Sequence, residues 1–286
     1  MSARETCWGI YREAAHSPGR IADDAAIMKR VGDALRARNF AVELLAVDGI
    51  DAALARPGGN IFAMCEGGDV LCRLASAARQ GAVVVNAPQA IGNTYRHRMV
   101  ELFQRRQVSA PPSRIVATDG VAPHPMTAVW VKRYDFHATQ PDDVIYAASA
   151  AGWHEALRRF ARRGIPFVIV QQHVEGDLVK FYGVSGDRGA GPSASWFKWF
   201  YHRDQGKIGY RFETARLEVA ALHAASVLGV DIFGGDAIIQ PDGEPLIIDL
   251  NAWPSYAPFL NQAAEAIADH LTHRFRRRLR AITAAE

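Results

Sequence analysis

Residues 231–240 and 244–250 are two apolar runs separated by Pro241-Asp242-Gly243. Proline and glycine around an aspartate form a strong turn, so the runs read as two antiparallel strands of one hairpin. This pairing constrains the chain more than any other feature, because it sets oxygen-bearing side chains into strands that are otherwise apolar. Asp249 and Asn251 are two residues apart and leave the same face of one strand. Asp236, in Gly234-Gly235-Asp236, can face them from the partner strand. Three oxygen ligands on one sheet face suit Mg²⁺, which takes hard ligands, keeps waters and is often completed by substrate phosphates. The plainer alternative is that they are polar residues near a turn or at a sheet edge.

The first third alternates strand and helix. Residues 7–11 form a short apolar strand, and residues 21–37 show helical spacing of Ile21, Ala25, Ile27, Met28, Val31 and Leu35. Strands at 40–47, 60–65 and 82–86 follow, with a helix from Gly68 to about Gln80. Nearly continuous apolar strands alternating with helices imply a parallel sheet covered on both faces. Beyond Pro88 the style changes to α+β. A basic helix is expected at 93–107, a strand at 127–132 and a helix at 153–163. Strands at 166–174 and 177–184, separated by Glu175-Gly176, read as a hairpin or as the link between two lobes. A strand at 196–201, a long helix at 212–228 and a last helix at about 258–280 complete the pattern.

Lys132 ends one apolar strand and Lys180 lies inside another. A lysine in such a run snorkels, pairs or meets an anion. Beside the carboxylates, both become candidates for nucleotide phosphates, as compact positive charges. The run Val168 to Val170 leads through Gln171, Gln172, His173, Val174 and Glu175 into a corner that exposes backbone donors and acceptors to a flat base.

In this order (basic helix, strand with Lys132, corner at Gln171 to Gly176, Lys180, Gly235-Asp236, Asp249-Leu-Asn251-Ala-Trp-Pro254) the chain resembles the ATP-grasp superfamily. Within it, the chain is similar to the ribosomal-protein glutamate ligases and glutathione synthetase-like ligases, with some likeness to inositol polyphosphate kinases. The resemblance implies a parallel α/β leading lobe over 1–92 and an ATP-grasp domain over 93–286. The domain would comprise a small α+β lobe at about 114–175 and a large α+β lobe at about 176–286, with the nucleotide cleft between them. It implies that Lys132 and Lys180 contact phosphates and that the backbone around Gln172 to Val174 holds adenine, with Gln171 and Arg96, which stands about where the family often has a basic residue, also binding the cofactor. Glu175 or Asp177 would reach the ribose, and Asp236, Asp249 and Asn251 would carry Mg²⁺ or Mn²⁺. Lys180 and Arg211 would serve catalysis. Two departures stand out. The segment 133–141 lacks the usual glycine-rich lid, and Pro254-Ser255-Tyr256 replaces the Pro-Gly in which many members end the metal motif.

The implied activity is ATP-dependent ligation of a small-molecule or peptide carboxylate to an amine or another nucleophile through an acyl phosphate. The alternatives are a small-molecule kinase of the inositol polyphosphate type and a nucleotide-binding protein without turnover. Arg96, Arg98, Lys198, Arg203, Lys207 and Arg211 are the basic residues that a polyphosphate acceptor would need, whereas Glu66 and Asp69 suit a smaller acceptor. Glu66-Gly67-Gly68 is a weak phosphate-turn signal and reads better as a substrate-facing loop. Trp196, Phe197, Trp199, Phe200 and Tyr201 read as core.

Composition narrows the classes further. With 33 basic and 30 acidic residues the net charge is +3, too balanced to imply nucleic acid. The basic run from Arg274 to Arg280 fits the end of a helix, where the dipole favours cations. His270 and His273 lack a third ligand, so zinc is not expected. No apolar run approaches the ~20 residues of a membrane span, and residues 1–7 lack the apolar core of a signal peptide. Cys7, Cys65 and Cys72 imply no disulfide framework, so the reducing cytoplasm is the expected compartment. A homo-oligomer is left open.

Overall fold

The computed structural model describes residues 4–55, 58–120, 122–135, 137–138, 140–186, 193–202 and 206–283, with side chains to residue 277. Arg203, Phe136 and Thr139, the stretch 187–192 and the side chains of Arg278 and Arg280 lie outside the described residues. The elements run β1 (Glu5–Ile10), α1 (Ile21–Ala37), β2 (Phe40–Leu45), α2 (Ile50–Leu54), β3 (Asn60–Ala63), α3 (Gly68–Arg79) and β4 (Val83–Val85). Next come α4 (Pro88–Asn93), α5 (Arg96–Arg105), β5 (Ser113–Ala117), β6 (Val129–Arg133), β7 (Val144–Ala147), α6 (Ala150–Arg162) and β8 (Phe167–Gln172). The chain closes with β9 (Asp177–Ser185), β10 (Ala194–Tyr201), α7 (Thr214–Leu228), β11 (Ile232–Ile239), β12 (Pro245–Ala252) and α8 (Leu260–Thr283).

The leading sheet has the order β2-β1-β3-β4, and every pairing in it is parallel. Alternation along the strands explains why they are apolar throughout. Cys7 and Phe62 face Ile27, Met28, Val31 and Leu35 of α1, while Trp8, Ile10, Ile61 and Ala63 face α2 and α3. The first face is completed by α8, whose Ala263, Ile267, Leu271 and Phe275 recur at helical spacing and join the same cluster. The last helix thus returns to the first sheet.

The second sheet, β5-β8-β6-β7, is antiparallel. Val129 and Val131 of β6 and Val168 and Val170 of β8 pack on Trp153, Leu157 and Phe160 of α6. The intervening residues Trp130, Lys132 and Gln171 therefore leave the opposite face. The third sheet, β10-β9-β11-β12, is also antiparallel. Its Val179, Phe181, Phe233, Ala237 and Ile247 pack on Leu217, Ala221 and Leu228 of α7. Because β8 and β9 belong to different sheets, the corner at Glu175-Gly176 is the link between lobes rather than a hairpin turn. A Cβ on Gly176 would lie 2.3 Å from the Ile239 carbonyl oxygen, and its φ is +156°, so only glycine fits.

Three elements differ from the sequence reading. The basic helix is two helices, because Tyr95 is extended (ψ 131°) between α4 and α5. Thr94 Oγ1 donates to the Ile91 carbonyl at 2.7 Å and closes the first of them. The break puts Arg96 at the start of α5, where it is buried. Strands β5 and β7 had no separate sequence signal, since both are short edges whose pairing partners lie elsewhere in the chain. Trp196 and Phe200 pack against one core cluster and Phe197, Trp199 and Tyr201 against another, as expected of core aromatics. Among the described residues no helix is long and apolar enough to cross a membrane.

Phe275 is fully buried and meets Phe40 edge-on at 6.0 Å. Phe275→Ala should therefore cost about 3–5 kcal/mol, read as a lower denaturation midpoint in guanidinium chloride.

Candidate active site

Strand register builds the centre of the site. Asp236 of β11 pairs with Lys180 of β9 on one side and Asp249 of β12 on the other, and Gly234 pairs with Asn251. The register shifts between Asp236 and Ala237, where Asp249 and then Ile247 are the partners, so Ile248 is a bulge residue. A bulge re-aims the side chains beside it. Beyond it, Asp249 and Asn251 leave the face opposite α7, together with Lys180 and Asp236. Lys180 Nζ lies 2.7 Å from Asp236 Oδ1. Arg96 reaches the same row from α5, with Nη2 at 3.6 Å from Asp249 Oδ2.

Two clefts share this row. The larger, of about 730 Å³, lies between the second and third sheets and is lined by Trp130, Lys132, Gln171 to Gly176, Leu178, Ile238 and Ile248. The smaller, of about 370 Å³, lies against the leading lobe and is lined by Arg12, His16, Asp24, Glu66, His137, Asn251 and Ser255. Arg96, Ala138, Asp236 and Asp249 line both. His137 and Ala138 of the glycine-free segment thus lie at the junction. Arg133 is paired with Asp135 and Asp143 at its base, and Ala138 touches both clefts.

Charges at the junction hold one another. Lys132 Nζ donates to Gln171 Oε1 at 2.7 Å, and burial pushes its ammonium down to about 8. Burial alone would raise Asp249, but Arg96, His137 and Lys132 outweigh it and hold the carboxyl below the usual range. Burial pushes the His137 ring down to about 4; Asp249 opposes this shift, and Arg96, Arg12 and His16 add to it.

The sequence-predicted residues sort into three groups. Arg96, Lys132, Gln171, Gln172, His173, Val174, Glu175, Asp236 and Asp249 all line the larger cleft. Lys180 and Asn251 line the smaller one. Asp177 and Arg211 line neither. Both of Asp177's carboxylate oxygens are occupied, accepting from the backbone N–H groups of Ile208 (2.6 Å), Gly209 (2.7 Å) and Tyr210 (2.8 Å). It is an anchor for the loop that brings Ile208 and Tyr210 to the larger cleft. Arg211 is exposed just beyond that loop. Arg98, Lys198 and Lys207 also stay outside both clefts. The backbone N–H groups of Glu66 and Gly67 donate to the Glu13 carboxylate at 3.0 Å each, so this turn is closed by protein rather than open to a phosphate.

Sequence reasoning missed Trp130, His137, Arg12 and Tyr210. Trp130 was within reach, since it lies two residues from Lys132 on one strand face. Arg12 carried no local signal. Its guanidinium binds Glu66, Asp24 (2.9 Å) and the Trp253 carbonyl (2.5 Å), partners far apart in sequence.

Asn251 Oδ1 is buried without a hydrogen-bond partner, beside two carboxylates. That donor set fits a hard divalent cation. Among the described residues no three His, Cys, Asp or Glu side chains group closely enough for a metal. A cation here would therefore rest on Asp236, Asp249, the Asn251 amide oxygen and oxygens of the bound substrate.

No family model matches the chain, and no curated protein matches it either. Solved structures do. D-alanine–D-alanine ligase from Bacillus anthracis complexed with ATP aligns with a TM-score of 0.71 at 11% identity, over 97% of this chain and 99% of that one. A RimK domain ATP-grasp protein from Sphaerobacter thermophilus aligns at 0.64 and 17% identity, over 93% and 99%. An L-amino acid ligase from Bacillus licheniformis aligns at 0.64 and 11% identity, over 95% of this chain and 75% of that one. The protein has the ATP-grasp fold, an α/β leading lobe followed by α+β lobes.

Asp177→Ala should free the loop at 208–210. Losing charge-assisted hydrogen bonds worth about 1.5–3 kcal/mol raises its opening by about ten- to a hundredfold. Trypsin should then cut at Lys207 and Arg211 correspondingly faster, with Asp177→Asn intermediate.

Proposed function

We propose that the protein is an ATP-dependent ligase that joins a carboxylate to an amine or similar nucleophile through an acyl phosphate. The observation that carries this reading is the meeting of two clefts at one row of charges, Arg96, Asp236 and Asp249. The larger cleft has the apolar lining residues Trp130, Leu178, Ile238 and Ile248 and a backbone corner that suit adenine, and its Lys132 suits a phosphate. The smaller cleft takes the acceptor. The structural neighbours include ligases named for amino acids, which agrees with small polar substrates.

In this scheme the acceptor carboxylate oxygen attacks the γ-phosphorus, and the bond from that phosphorus to the β-bridging oxygen breaks, releasing ADP. The nucleophile nitrogen then bonds the acyl carbon, phosphate leaves, and the nitrogen gives up a proton. Lys132, Lys180 and Arg96 neutralise charge on the phosphate oxygens and hold them in line. Mg²⁺, held by Asp236, Asp249 and Asn251, would supply further neutralisation. The acceptor cleft carries balanced charge, with Arg12, Arg20, Arg96 and Lys180 against Asp24, Glu66, Asp236 and Asp249. A polyphosphate would need a strongly basic wall, so this balance favours the ligase over the kinase.

With γ-labelled ATP and pairs of amino acids, label should leave as free phosphate only when an acceptor is present. Stable label on an alcohol would establish the kinase instead. Asp249→Ala should lower Mg²⁺-dependent turnover by about a hundredfold or more with an unchanged circular dichroism spectrum. Wild-type turnover would remove Asp249 from the site.

The Lys132 ammonium is complete at neutral pH and is lost as pH rises through about 8. A triphosphate binds the charged form, so its affinity should fall above that pH by up to about tenfold per unit. Lys132→Met should bind weakly and show no such slope, by calorimetry.

A further inference from the structure

Among the described residues, five of the ten buried side-chain polar atoms without a hydrogen-bond partner belong to the smaller cleft: Arg96 Nε, both ring nitrogens of His137, Asn251 Oδ1 and Ser255 Oγ. On its leading-lobe wall the buried charges Arg12, Asp24 and Glu66 occupy one another, while Arg20 is exposed. Arg12 holds Asp24 and Glu66, and Ser17 Oγ donates to Asp24 at 2.6 Å. Asn251 and Arg96 face the row shared with the nucleotide. Among the buried groups of this cleft, the Ser255 hydroxyl and the His137 ring remain to read an acceptor.

Ser255 is held by its neighbours in the turn. Ser255 is 4% exposed and sits between Trp253 and Tyr256, two fully buried residues with left-handed backbone (φ 42° and 54°). Non-glycine residues keep that conformation only when their surroundings impose it. Here Trp253 stacks on Phe62 at 6.0 Å, and the Tyr256 hydroxyl lies 3.1 Å from the Gly183 carbonyl and 3.0 Å from that of Phe233. The strained turn fixes where the Ser255 hydroxyl points. His137 is carried by the segment between Arg133 and Asp143, whose base is tied by Arg133 and Arg163 to Asp143. Its Nε2 lies 4.0 Å from Glu66 Oε2.

We infer that Ser255 and His137 are the specificity-determining residues of the acceptor cleft, and that they select a small molecule presenting a hydrogen-bond donor and acceptor together, of amino-acid size. The inference rests on the ligase reading for the identity of the cleft. A serine hydroxyl both donates and accepts, and so does a neutral imidazole through its two nitrogens. A cleft built to hydrogen-bond its ligand rejects analogues lacking those groups, because its own buried atoms are then left unpaired. A glycine at position 255 would have no such reach.

The test is calorimetry on the full chain with Mg²⁺ and a non-hydrolysable ATP analogue. The probes are the common L-amino acids, D-alanine and D-serine, with propionate and ethylamine as analogues lacking one of the two groups. At least one amino acid should bind, and propionate and ethylamine should bind about tenfold weaker or less. Ser255→Ala and His137→Ala should each weaken the bound amino acid by about tenfold, leave the nucleotide analogue within about twofold, and His137→Gln should restore part of the loss. Binding unchanged in both variants, equal losses for nucleotide and amino acid, or no amino acid bound would overturn the assignment. An amino acid that binds in this pattern without acceptor-dependent phosphate release would overturn the ligase reading alone. Turnover that is indifferent to Ser255→Ala and His137→Ala would overturn this inference alone.

Discussion

One strand register carries the site. Lys180, Asp236 and Asp249 stand abreast on β9, β11 and β12, with Asn251 one pleat further along. Ordinary alternation would not keep Ile247 in the α7 core while also bringing Ile248 and Asp249 to the cleft. The bulge at Ile248 does so, by adding one residue to β12 opposite a continuous β11. Removing that extra residue would turn Asp249 and Asn251 into the core or Ile247 out of it. The core burial of Ile247 and Leu250, both fully buried, therefore enforces the position of the polar residues beside them.

Buried charge on one face then dictates what must stand opposite. Asp249 is answered by Arg96, and the break between α4 and α5 puts Arg96 at a buried helix start. Lys132 answers from the second sheet, held by Gln171. Unpaired, any of these groups would pay a desolvation penalty that the apolar surroundings do not return. The cleft is thus a place where each lobe supplies the counter-charge of another. On the leading-lobe side Arg12 does the same with Asp24, Glu66 and the Trp253 carbonyl, tying the first sheet to the turn after β12.

Elements with their own hydrophobic period were legible from sequence: α1, α6, α7, the parallel strands of the leading lobe and the β11–β12 hairpin. So were Asp236, Asp249 and Asn251, because carboxylates and an amide interrupt apolar strands. The edges β5 and β7 were not, because short edge strands are defined by pairing rather than by pattern. The hydrogen bonding of Asp177 was not legible for a related reason. An acidic residue after a nucleotide-type corner suggests a sugar contact, but its oxygens are taken by backbone N–H groups 31 to 33 residues away. The exposure of Arg211 was not legible either, because a basic loop reads alike whether it faces a cleft or solvent.

The sequence by itself determined the layering of the chain and the residue types at the β11–β12 hairpin, since periodicity and turn chemistry are local properties. Tertiary structure alone decided that α8 returns to the leading sheet and that Arg12 closes the smaller cleft. It also decided that a segment without glycine brings His137 and Ala138 to the junction, and that Ser255 is turned inward by two strained aromatic neighbours. Each of these depends on contacts between residues far apart in the chain, whose geometry is set by the packing of whole sheets and helices and leaves no trace in the local pattern.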